Sequence, residues 1–125
     1  MTVLVDSSAW IEYFKGTDPG IYAKKVLEES SEKVIVSLIN IGEVYSWVLR
    51  YYSIDIAEEM RKTMETRAFV SDITEPIIVE AAMMKNANGW ELDSSIIFVT
   101  ARKEGASILT GDPNFKDLKE SLFIF

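Results

Sequence analysis

Thr2-Val3-Leu4-Val5 is a short, β-branched, apolar run that stops at Asp6, and Ser7 to Phe14 reads as a helix or helical turn directly behind it. Working outward, Val34-Ile35-Val36 is a second buried strand, closed by Ser37, which is placed to cap a helix from about Leu38 to Tyr51. Phe69-Val70 is a weak third strand, Ser107-Ile108-Leu109-Thr110 a fourth and Leu122-Phe123-Ile124 a final one. Between them lie an amphipathic helix from Ile21 to Ser30, one from about Ile54 to Thr66 capped by Ser53, and one capped by Thr74 with Glu75 and Pro76 in its first turn. Asn88-Gly89 ends the last of these, and Glu91 to Glu104 follows, with an all-apolar middle at Ile96-Ile97-Phe98-Val99 and a stop at Gly105. A short helix runs from Asp112 to Lys119. Helices alternating with nearly continuous apolar strands predict an α/β fold whose parallel sheet is covered on both faces.

At 125 residues and 48% hydrophobic content, one continuous core and a single domain over residues 1–125 are expected. Every stretch of eighteen residues carries charge, and neither a basic leader nor a cleavage-type segment opens the chain. The expectation is a cytoplasmic protein with no membrane span. With no cysteine and no histidine, disulfides, thiolate nucleophiles, Ser-His-Asp triads and the usual zinc sites are removed together. Catalysis would then use carboxylates, hydroxyls, lysines or a hard metal, of which Mg²⁺ or Mn²⁺ suits carboxylates best. The net charge of −7 counts against a simple nucleic-acid binder. It is compatible with an enzyme whose metal ions supply local positive charge, and it favours a basic protein partner.

Four acids stand out. Asp6 and Asp112 follow strands directly, at the edge where open parallel sheets bind ligands, although each alone is also a reasonable helix cap, Asp112-Pro113 especially. Glu43 has Ile39 and Trp47 as neighbours one turn away, so its stripe is apolar. The opposite stripe, Leu38, Ile41, Tyr45, Val48 and Leu49, is expected to face the sheet, which leaves Glu43 at a second contact or a cleft and in need of a partner. Asp93 opens the most apolar helix, where the macrodipole favours a carboxylate at the mouth of the core. Two like charges at about 4 Å repel by ~4 kcal/mol even at an effective dielectric of 20. Four acids brought together therefore call for a metal or a basic partner. Mg²⁺ or Mn²⁺ held by two or three of them and by waters would polarise a phosphodiester and activate water, with a spare carboxylate to orient it.

These motifs resemble the PIN-domain family, and within it the small VapC-type toxins of toxin–antitoxin pairs, over nearly the whole chain. Val3-Leu4-Val5-Asp6-Ser7-Ser8-Ala9-Trp10-Ile11 is similar to the family's opening, and Glu43 to its second acid. Leu92-Asp93-Ser94-Ser95-Ile96-Ile97 with Thr100-Ala101 is similar to the third motif, and Ile108-Leu109-Thr110-Gly111-Asp112-Pro113-Asn114-Phe115 to the fourth. The resemblance implies a three-layer α/β/α sandwich with a five-stranded parallel sheet. It also implies a Mg²⁺- or Mn²⁺-dependent endoribonuclease with Asp6, Glu43, Asp93 and Asp112 as its catalytic and metal-binding set. RNA as substrate, homodimers, and a small VapB-like antitoxin whose basic tail blocks the acidic site belong to the same expectation. Ser7 and Thr110 match hydroxyl positions that would support the acids by hydrogen bonds. Asn114 stands where many members carry a further Asp, a departure that weakens or removes a metal contact there.

Trp47, Tyr51, Tyr52, Met60, Met64, Met83 and Met84 read first as core and second as a dimer contact. Lys15, Arg50, Arg102 and Lys116 read as solvated charges, with RNA phosphates as the alternative. Two other functions share the acids: a stand-alone PIN nuclease in RNA processing or quality control, and a flavodoxin-like receiver or other signalling module with an acidic Mg²⁺ pocket. The receiver is disfavoured because Ser7 rather than a second acid follows Asp6, and Ser37 rather than Asp closes the second strand.

Overall fold

The computed structural model describes all 125 residues. Strands β1 (Thr2–Val5), β2 (Lys33–Ser37), β3 (Phe69–Ser71), β4 (Ala106–Thr110) and β5 (Ser121–Phe123) form one sheet in the order β3-β2-β1-β4-β5, with every neighbouring pair parallel. Helices α1 (Ser7–Lys15), α2 (Gly20–Lys24), α3 (Leu38–Tyr51), α4 (Ile54–Arg67), α5 (Glu75–Asn88) and α6 (Leu92–Lys103) make the connections.

The pleat divides the apolar strand residues between two faces. Val3 and Val5, Val34 and Val36, and Leu109 point to one side, where Trp10, Val44, Val48, Ala57 and Met64 of α1, α3 and α4 cover them. Leu4, Ile35 and Ile108 point to the other, beneath Ile97 and Ala101 of α6 and Phe115. α6 is apolar on its outer side too, because Ile96 and Val99 pack against Ile77 and Ala81 of α5. The result is the expected three-layer α/β/α sandwich. Leu4 is wholly buried, so Leu4→Ala would cost about 2–5 kcal/mol.

Several local expectations are corrected. The buried face of α3 is Asn40, Val44 and Val48, while Leu38 and Leu49 are exposed and Ile41 and Tyr45 only half-buried. The helix is turned this way because the Asn40 amide finds polar partners inside. The Ile21 to Ser30 helix is α2 continued by a π-helical turn over Lys25–Glu29. Thr74 holds the extended cap position, but its hydroxyl makes no capping bond. The helix expected from Asp112 to Lys119 is a single 3-10 turn, Pro113–Phe115, followed by further tight turns. Met83, Tyr51 and Tyr52 are exposed rather than core.

No helix is long and apolar enough to cross a membrane. The strand order reverses direction between β1 and β4, so a crevice opens beyond the carboxyl ends of those two strands, the preferred ligand position in open parallel sheets.

Candidate active site

Asp6 leaves β1 at this crevice with its backbone N–H still bonded to the Leu109 carbonyl of β4 at 3.0 Å. Its side chain is only 7% exposed. Oδ1 accepts from the Ser7 backbone N–H (2.8 Å) and from Asn40 Nδ2 (3.1 Å), and Oδ2 accepts from Thr110 Oγ1 (2.8 Å). Burial raises its pKa from 3.8 to about 6, with the Asp112 charge adding to the rise, while the bonds from Thr110, Ser7 and Asn40 restrain it.

Glu43 lies one turn into α3 from Asn40 and is half-buried. Ser7 Oγ donates to its Oε1 at 2.6 Å, and Ser7 Oγ in turn accepts from Asn40 Nδ2 at 2.9 Å. Burial first, and then the neighbouring Asp93 carboxyl and the Asp6 charge, raise the Glu43 pKa from 4.5 to about 8, with the Ser7 bond opposing them.

Asp93 and Asp112 face them from α6 and from the turn after β4. Asp93 Oδ1 accepts from the Ser94 backbone N–H at 2.9 Å. Asp112 caps the 3-10 turn by accepting from the Asn114 backbone N–H at 2.9 Å, and its Oδ2 accepts from Ser94 Oγ at 2.7 Å. Thr110 Oγ1 joins the two sides, donating to Asp6 and accepting the Asp112 backbone N–H at 2.9 Å. Asp6, Glu43, Asp93 and Asp112 thus line one cavity of about 170 Å³ together with Ser7, Ser8, Ser94 and Ile97.

Ser7 Oγ donates to Glu43 and Thr110 Oγ1 to Asp6. Asn114 is exposed, lies outside the cavity lining, and serves Asp112 through its backbone alone. Reasoning from sequence missed Asn40, Ser94 and Ser8. Asn40 had a readable signal: it sits three residues after Ser37, capping-box spacing, and its Oδ1 accepts the Ser37 backbone N–H at 3.1 Å. Ser8 accepts from the Gly111 backbone N–H at 2.8 Å and so holds the turn that carries Asp112.

The cavity presents an all-oxygen donor set, the type that hard cations take. No three of the acids converge tightly enough to enclose an ion by themselves.

A family model for the PIN domain matches residues 3–121. No curated protein matches the sequence. Among solved structures, a toxin–antitoxin complex from Klebsiella pneumoniae is similar over 98% of this chain and 98% of that one, at 20% identity and a TM-score of 0.78. VapC20 of Mycobacterium tuberculosis, a toxin that cleaves the sarcin–ricin loop, is similar over 88% of this chain and 91% of its own, at 19% identity and a TM-score of 0.74. VapBC2 of Rickettsia felis, solved with a DNA fragment from its promoter, is similar over 98% and 97%, at 14% identity and a TM-score of 0.73. At these identities the likeness to the solved structures is one of fold.

Proposed function

The chain belongs to the PIN-domain family, and from that premise we propose that it is a Mg²⁺- or Mn²⁺-dependent endoribonuclease, the toxin of a VapBC-type toxin–antitoxin pair. The observation that carries the reading is the single cavity lined by Asp6, Glu43, Asp93 and Asp112, where burial, with the neighbouring carboxyls adding to it, raises the pKa of Asp6 and Glu43. These four acids would hold the cation. When bound, a divalent cation supplies Lewis-acid polarisation of the phosphodiester and acidifies water.

The protein's own groups do the positioning. Asp6 is fixed by three donors, so its oxygens cannot turn away from the cavity. Glu43, aimed by Ser7 into the cavity, is the carboxyl placed to take a proton from attacking water once a bound cation favours its ionised form. Ser94 aims Asp112 in the same way.

An antitoxin with a basic tail fits the acidic cavity and the net charge of −7. The toxin–antitoxin complexes that share the fold support a partner of this kind. A homodimer working in the cytoplasm as a single PIN domain completes the proposal.

The test is direct. Purified protein incubated with a panel of RNAs is expected to cleave with Mg²⁺ or Mn²⁺ and to stop when the metal is chelated. Cleavage no greater than that of Asp6→Asn would defeat the reading. The sheet order disfavours the signalling alternative, because flavodoxin-like receivers are ordered 2-1-3-4-5. A stand-alone processing nuclease shares the site and is separated by its partners: a copurifying small DNA-binding protein with a basic tail favours the toxin.

A further inference from the structure

The carboxylate cavity does not end at Glu43. Along the outer side of α3 a larger groove of about 680 Å³ shares that residue, and two rows at helical spacing line it: Glu43, Trp47 and Tyr51 in one, Gly42, Ser46 and Arg50 in the other. The Trp47 and Tyr51 rings lie 5.5 Å apart, and Tyr51 is 60% exposed, a cost that burial against a ligand would remove. The Arg50 guanidinium rides over the Tyr51 ring at 5.7 Å and makes no ion pair. An unpaired cation with two aromatic faces, about 10 Å along the helix from Glu43, complements a phosphate and a base that lie beyond the cavity rather than in it. Gly42 leaves the groove open beside Glu43, since a Cβ there would meet nothing within 4 Å and a longer side chain would project into that space.

We propose that this groove is a substrate subsite that receives single-stranded RNA next to the scissile phosphate, with a base on Trp47 and Tyr51 and a backbone phosphate on Arg50. The subsite rests on the ribonuclease reading, and the experiment separates the two. A fluorescent single-stranded oligoribonucleotide is titrated without divalent ions onto wild type, Gly42→Leu, Arg50→Gln, Tyr51→Ala and, as a control remote from α3, Arg102→Gln. Steady-state cleavage with Mn²⁺ and sedimentation are measured on the same proteins.

Tyr51→Ala is expected to bind about tenfold more weakly. Arg50→Gln should lower the salt slope of log affinity by about 0.7, the value for one single-strand phosphate. Gly42→Leu should raise KM with kcat little changed while raising the melting temperature, since leucine is the better helix former. Affinity and KM equal to wild type in all three would overturn the subsite, as would a change of oligomeric state in the α3 variants, which would make the groove an interface between copies. Wild type that cleaves as fast as its groove variants leaves the nuclease standing and removes only the subsite. Wild type that binds RNA through the groove but cleaves none removes the nuclease instead.

Discussion

The two sides of the carboxylate cavity are built differently. Asp6 and Glu43 are held by other side chains, through Asn40, Thr110 and Ser7, in a buried network that reaches across three elements. Asp93 and Asp112 are held mainly by backbone N–H groups one or two residues ahead of them, with Ser94 as the one side-chain donor between them. The first side depends on the whole fold being in place, whereas the second is largely local. Removing a group from the first should therefore disturb both stability and chemistry. The same removal on the second should be absorbed by water.

The largest effect expected is on chemistry: Asp6→Asn keeps the shape of the side chain and removes its charge, and should lower RNA cleavage by about 10²–10³-fold or more in a gel-based assay. The next is a pH dependence of the metal-free protein. Asp6 has a folded pKa of about 6, above its ordinary 3.8, so the unfolded chain releases this proton first as pH rises. The stability it confers is complete below pH 3.8 and is lost as pH climbs through about 6, a change of about 3 kcal/mol. Glu43 extends the loss in the same direction toward pH 8. Urea titrations between pH 4 and pH 8 in chelator should show this fall. Added Mn²⁺ should reverse it, stabilising more at pH 8 than at pH 5, because protons and metal compete for the same oxygens.

Asn40→Ala comes third. It strips a donor from Asp6 and from Ser7 and an acceptor from the Ser37 N–H in a fully buried place, and should cost about 2–3 kcal/mol in urea denaturation. Ser94→Ala should cost under about 1 kcal/mol, since Asp112 is half-buried and water can replace the lost hydroxyl. Equal losses from these last two substitutions would break the contrast between the sides.

Much of this was legible in the sequence because the local signals agree with the tertiary result. All-apolar runs at Val3–Val5 and Val34–Val36 mark strands with no solvated face, and the sheet is indeed covered on both sides. Ser37 and Ser53 cap the helices they precede. The acids were legible in a different way. Asp6, Glu43 and Asp93 rest on local context together with motif position, whereas Asp112 is also explicable as a helix cap, and it does cap the 3-10 turn.

The rotation of α3 was not legible. Leu38 and Leu49 are the apolar residues a hydrophobic stripe would bury, yet Asn40 takes the inward place because its partners Asp6 and Ser7 lie 34 and 33 residues away. Periodicity cannot see a polar residue satisfied by a distant part of the chain. Ser94 was hidden for the same reason, its acceptor being 18 residues on.

The bond from Thr110 to Asp6 spans 104 residues, and it has a meaning in time as well as in space. β1 occupies the centre of the sheet and precedes β4 by most of the fold, so it has no neighbour on one side until β4 docks. Contacts of such high sequence separation close late, because the entropy of the intervening chain opposes them until the rest has condensed. Asp6 therefore stays without the threonine that fixes it, and without Asp112 beside it, until β4 is in place. Before β4 docks, the chain holds scattered carboxylates, and the cavity they line exists only once the sheet is complete.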